Sequence, residues 1–301
     1  MGQRSATSLG LIFTVIAAAS FGVITSLAAL TYQGGGSPTG LVISRYIFGS
    51  IAVGLLALAL RRSFRIDRAA ILPMVGVTLG TVALGAGYLS SVFFIPVSLA
   101  AMIFYTYPMM VAAIAPFTEG TPIRRELAIG FPIAFLGIVL ALGPTFYSLD
   151  WRGVALALTG AAGATTIFIA SARVLDRVDS LVLAFYTNLA GVPLIAAILL
   201  SLGSFVLPHT TTGWAGFTGA NLFYVCAIAT MFIAIRLAGP ARTALWFNLE
   251  PLLSILAAAV LLGERLATIQ YVGGACVLTA LLIASQAKEQ GKPSETGPTA
   301  P

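Results

Sequence analysis

Apolar runs of about 20 residues recur along this chain, separated by connections of a few residues. A helix rising 1.5 Å per residue needs about 20 such residues to cross a hydrocarbon core about 30 Å thick. Ten runs have that length: 8–30, 38–60, 71–92, 97–118, 127–147, 151–172, 180–202, 213–237, 240–262 and 268–286. The connections leave no room for a soluble domain. With 58% of residues hydrophobic and 9% charged, a soluble fold could not cover itself, since soluble domains carry about 25% charged residues. The expected class is all-α integral membrane, with ten transmembrane helices. The first run is long enough to span, and it lacks the pattern of a cleavable signal peptide. Residues 287–301 have the composition of a disordered end.

Lys and Arg give the orientation. With a cytoplasmic N-terminus and ten alternating spans, thirteen basic residues fall inside and two, Arg152 and Arg265, fall outside; Arg45 lies within a span. Both termini are expected in the cytoplasm of a cell (inner or plasma) membrane, and the tail with them. The net charge of +6 thus belongs to short loops and does not point to nucleic acid. Cys226 and Cys276 lie inside apolar runs, so a structural disulfide is not expected.

Sliding the sequence by 143 residues places Gly10 on Gly153, Ala101 on Ala244, Phe104 on Phe247, Pro108 on Pro251 and Gly130 on Gly273. FYTYP lies over FNLEP. The chain reads as two five-helix halves, 8–147 and 151–286. Five is odd, so the second half enters the membrane from the opposite side. Inverted-topology repeats of this kind place a solute site near the midplane between the halves.

These features resemble the drug/metabolite transporter superfamily, in its ten-helix branch built from two EamA-type repeats. The likeness rests on ISRYIFG with Arg45, on Pro108 and Pro251, and on LLGERL with Glu264 followed by YVGGACVL. FTEGTPIRREL in the first half, and Phe21 where a tryptophan is usual, depart from the pattern. The resemblance implies a secondary transporter of small organic metabolites, often amino acids and often exported, working by alternating access.

The residues add their own argument. Glu250 lies about ten residues into its run, about 15 Å deep. A charge there costs at least about 2.5–3.5 kcal/mol, so an intramembrane acid is a functional candidate or a protonated structural group. Pro251 and Pro108 lack the N–H that would bond four residues back. Each is expected to free a carbonyl, that of Phe247 or Phe104, and to kink its helix as a hinge or as packing alone. Trp246 and Glu250 share a face at i, i+4, and their repeat partners are Ile103 and Tyr107. Asn248 and Tyr105 fall nearly opposite, toward a neighbouring helix.

Arg45, about 10 Å below the outer surface, suits an anionic group, a pairing with Glu250, or snorkelling. Its repeat partner is Asn188. Tyr88, Asn221 and Tyr224 are candidates for an outer vestibule, with an interfacial role the stronger reading for Tyr224. Glu119 and Glu264 end helices near water. The expected substrate-binding set is Arg45, Tyr88, Tyr107, Asn188, Trp246 and Glu250. It fits a zwitterionic amino acid, while a cationic or lipophilic drug would need Glu250 and the aromatics without Arg45.

The absence of a GxxxxGK[ST] loop excludes ATP as an energy source within the chain. Protons through Glu250 are a candidate coupling. No cofactor or metal is expected. His209 is the sole histidine and falls in an outer loop, which disfavours an intramembrane enzyme. A channel is the other class and would pass ions without saturation.

Overall fold

The computed structural model describes residues 3–91, 94–95, 100, 103–119, 125–142, 150–263 and 268–285. Glu264, the tail 287–301 and most of the start of the expected fourth run lie outside them. Among the described residues there is no strand. The helices are α1 Gln3–Gln33, α2 Pro38–Ala59, α3 Arg68–Ser91, α4 Tyr107–Glu119, α5 Arg125–Leu142 and α6 Trp151–Leu175. They continue with α7 Ser180–Leu202, α8 Thr211–Ala238, α9 Pro240–Trp246, α10 Leu249–Leu262 and α11 Thr268–Ser285.

Local signals set several of the ends. Ser37 caps α2, its hydroxyl accepting the Gly40 N–H at 3.0 Å, and Pro38 fills the first helical position. Thr210 caps α8 in the same way through the Gly213 N–H at 3.0 Å. Between α8 and α9 the backbone turns at Gly239 with φ +84°, a value that disfavours any side chain.

Among the described residues, seven helical stretches are long and apolar enough to cross a membrane: Thr7–Gln33, Thr39–Ala59, Arg68–Tyr88, Trp151–Leu175, Ser180–Ile198, Thr211–Ala238 and Pro240–Leu262. Ala128–Leu140 and Tyr271–Ala280 are shorter apolar stretches. Large apolar side chains face outward, among them Ile51, Leu55, Leu72, Phe117, Trp151 and Val260. In water such a surface would be a far larger apolar patch than a soluble monomer carries. In a bilayer it is the lipid-facing surface.

The helices pair across the chain. α1 packs along α8, α3 along α6, α2 along α7, and α5 along α11. Exchanging the first half for the second turns the α1–α8 pair into the α6–α3 pair and maps the other two pairs onto themselves.

The loops pair likewise. Near the start of α2, the Ser37 N–H donates to the Val206 carbonyl at 3.0 Å and the Ser37 hydroxyl donates to the Ser204 carbonyl at 2.8 Å. The His209 N–H donates to the Gly34 carbonyl at 2.8 Å. Beyond the far end of α2, Arg177 meets Asp67 at 2.8 Å, and Asp179 faces Arg62 at 3.5 Å and Arg236 at 3.9 Å. The shift of 143 carries Ser37 to Ser180 and Val206 to Ser63. The two joints are therefore counterparts, one neutral and one ionic. The Ala69 N–H and then the Arg177 guanidinium hold the Asp67 carboxyl below the usual carboxylate range.

Candidate functional site

The ninth apolar run is two helices, not one. α9 ends at Trp246, and Phe247 and Asn248 form a tight turn before α10 starts at Leu249. The Asn248 N–H bonds the Leu245 carbonyl at 3.0 Å, and the Glu250 N–H bonds the Phe247 carbonyl at 2.8 Å. Two expectations are corrected here. The Phe247 carbonyl is not a spare acceptor, because Glu250 already donates to it. Pro251 is not a mid-helix proline either. It lies in the first turn of α10, where its missing N–H costs nothing. Glu250 lies in the same turn, where the helix dipole favours an acid. The first half repeats the pattern: residues 105 and 106 form a turn, and Pro108 is the second residue of α4.

The break brings together residues that a continuous helix would separate. The Tyr105 hydroxyl and the Glu250 carboxyl lie close enough to interact electrostatically. Helical periodicity turns Tyr105 away toward a neighbouring helix; the structure makes it the glutamate's partner instead. α1 comes close to the same turn at Gly22. A Cβ placed there would lie 2.9 Å from the Glu250 carbonyl oxygen and 2.9 Å from the Ser254 nitrogen.

Beside this turn lies a cavity of about 220 Å³, lined from both halves. Arg45, Tyr88, Tyr107 and Glu250, four of the six residues of the expected substrate-binding set, line it. Phe21, Phe104, Phe168, Phe247, Tyr46 and Tyr224 complete an aromatic wall. Tyr88 stacks on Phe104 with centroids 4.6 Å apart, and Tyr107 stacks on Phe168 at 5.4 Å. Phe168 meets Phe247 edge-on at 5.6 Å. Such pairs contribute about 0.5–1.5 kcal/mol each beyond burial.

Arg45 and Glu250 share the cavity but form no ion pair within 4.0 Å, so their expected direct pairing is not made. The Arg45 guanidinium lies over the Tyr224 ring, 5.0 Å from its centroid. Its Nε is buried without a hydrogen-bond partner among the described residues.

Tyr224 is thus part of the cavity wall and not an interfacial aromatic. Two members of the expected set do not reach the cavity. Asn188 is 1% exposed and lies behind Tyr224, accepting its hydroxyl at 2.8 Å. Trp246 is half-buried against the core, on the far side of the break from Glu250. Asn221 is buried and donates to the Phe217 carbonyl at 2.8 Å, away from any vestibule.

A family model described as the EamA-like transporter family matches twice, over residues 8–143 and 151–286. The chain belongs to the EamA-like transporter family. A solved crystal structure with 21% sequence identity matches with a TM-score of 0.78, covering 93% of this chain and 97% of that one, and shows the same fold. A comparison with curated proteins finds no match. The EamA-like family is one of multi-pass membrane transporters of small compounds and not of enzymes. The cavity between the two EamA-like segments is accordingly a candidate solute site.

Proposed function

We propose that this chain is a secondary carrier of amino acids, working by alternating access around the cavity between its halves. One observation carries the reading. Arg45 and Glu250, a guanidinium and a carboxyl, line one aromatic-walled cavity and do not pair with each other. A solute with a carboxylate and an ammonium can engage both, and the aromatic wall suits an apolar or aromatic side chain. A volume of about 220 Å³ lies below the roughly 300–1,000 Å³ of drug-sized sites, which favours a metabolite over a bulky drug.

The exchange-symmetric helix pairing and the repeated break support two inverted five-helix repeats, 8–147 and 151–286, with ten spans. The basic-residue bias supports cytoplasmic termini in the cell membrane. Export is the direction favoured by resemblance, and protons through Glu250 are the candidate coupling. The second reading, a cationic-compound exporter, rests on Glu250 and the aromatics without Arg45.

Uptake of labelled amino acids into proteoliposomes, with and without a pH gradient, tests the proposal. Saturable uptake with counterflow, lost in both Arg45→Ala and Glu250→Gln, is expected. Uptake indifferent to both changes sinks it. Transport of organic cations by Arg45→Ala, with no amino-acid uptake by the wild type, establishes the second reading instead.

A further inference from the structure

Arg45 does not hold its place alone. Its guanidinium carbon lies over the Tyr224 ring, 5.0 Å from the centroid, and the Tyr224 hydroxyl donates to Asn188 Oδ1 at 2.8 Å. The Asn188 amide nitrogen donates in turn to the Ala184 carbonyl at 2.8 Å. That bond settles which way the amide points, so its oxygen is left to face the tyrosine. Tyr46 also stacks on Tyr224 with centroids 6.2 Å apart, its own hydroxyl donating to the Thr81 carbonyl at 3.3 Å. Tyr224 and Asn188 are both nearly fully buried. Space is made for them at Gly49, where a Cβ would lie 2.8 Å from Asn188 Oδ1 and 3.0 Å from Tyr224 Cε1.

No carboxylate pairs with Arg45 among the described residues, so this neutral scaffold orients a cation without neutralising it. A cation–π contact uses none of the N–H donors and so leaves an N–H edge free. That edge is what a planar anion such as a carboxylate engages with two bonds.

We propose that Tyr224 and Asn188 are positioning residues for Arg45, holding the guanidinium in place so that the carrier selects solutes bearing a carboxylate. The two halves have unlike roles in this arrangement. Arg45 and Asn188 occupy equivalent positions in the repeat, one supplying the charge and the other the support. The proposal rests on the reading of Arg45 as the anion-binding group of the carrier.

Two measurements test it on the purified full chain, using Asn188→Leu, Tyr224→Leu, Tyr224→Phe and Gly49→Ala. The first needs no solute. Phenylglyoxal modification of Arg45, mapped by mass spectrometry, should speed up about fivefold to tenfold in Asn188→Leu and Tyr224→Leu, the size expected for losing a desolvated cation–π contact. Tyr224→Phe keeps the ring and should fall between these variants and the wild type. Wild-type rates in folded Asn188→Leu and Gly49→Ala overturn the proposal.

The second compares binding of L-phenylalanine with that of phenethylamine, which lacks the carboxylate. Half-saturation for L-phenylalanine should rise about tenfold in Asn188→Leu while that for phenethylamine stays within about twofold. Equal weakening of both means general distortion and overturns the proposal. A wild type that binds neither probe sinks the amino-acid reading, and the modification rates still decide the positioning role.

Discussion

The Tyr105 hydroxyl reaches the Glu250 carboxyl across the boundary between the two halves of the chain. Each residue lies at the helix break of its own half, so the breaks face each other at the cavity. Removing this hydroxyl takes away a polar partner of the carboxyl, an effect of about 1 kcal/mol or a factor of about five in affinity. Tyr105→Phe should therefore raise half-saturation for a transported amino acid about fivefold, and Glu250→Gln should raise it further. Proteoliposome uptake measures both; an unchanged Tyr105→Phe curve would show that this contact does not bear on binding.

Gly22→Ala should destabilise the protein. Its Cβ would press on backbone atoms of α10 at 2.9 Å, and backbone has no rotamer through which to yield. Overpacking of this kind costs about 1–3 kcal/mol. Thermal unfolding in detergent reads the effect, and a midpoint equal to the wild type's would mean that α1 shifts freely away from α10.

Replacing Pro251 by alanine should leave the break in place. The acceptor that a restored N–H would seek, the Phe247 carbonyl, already holds the Glu250 N–H at 2.8 Å. Phe247 is also held by Phe168 and Phe21. The expected change in stability is under about 1 kcal/mol, within the range of ordinary substitutions. A large rise in the unfolding midpoint would show that the proline itself makes the break.

Asp67 gives a pH dependence with a defined sign. Its carboxyl is held below the usual range in the fold, first by the Ala69 N–H and then by Arg177. Its contribution is thus fully present above the unfolded value of about 3.9 and is lost as pH falls through the lower folded value. The stability difference between wild type and Asp67→Asn should be largest at neutral pH and close as the solution is acidified below about pH 4. Because the pair is exposed, the difference should also shrink at about 1 M salt. A difference that grows on acidification would reverse the assignment.

Much of the site is legible in the sequence because charge at depth is rare. Arg45 and Glu250 stand out for that reason, and both line the cavity, as do Tyr88 and Tyr107. Trp246 is misplaced by the i, i+4 rule because that rule assumes one unbroken helix, and the turn at Phe247 and Asn248 ends the helix just after it. The same break returns Tyr105 to the glutamate. A signal for it is present: asparagine, then an acid, then proline is the signature of a helix start, here inside an apolar run. Asn188 shows a different limit. The shift of 143 gives its register relative to Arg45, but not that Tyr224 stands between it and the cavity. Phe21 and Phe168 carry no mark to separate a cavity-facing ring from a lipid-facing one.

The paired joints at the two ends of α2 have a consequence for how this molecule meets its surroundings. Ser37 with Val206, and Arg177 with Asp67, join corresponding pairs of loops in different chemistry. Neutral main-chain bonds are nearly indifferent to ionic strength, whereas exposed ion pairs weaken as salt rises. One loop joint therefore weakens as salt rises and the other does not. In a vesicle population of mixed orientation, salt added outside would act only on the molecules that present the ionic joint outward, so the protein carries its own marker of which way it was inserted.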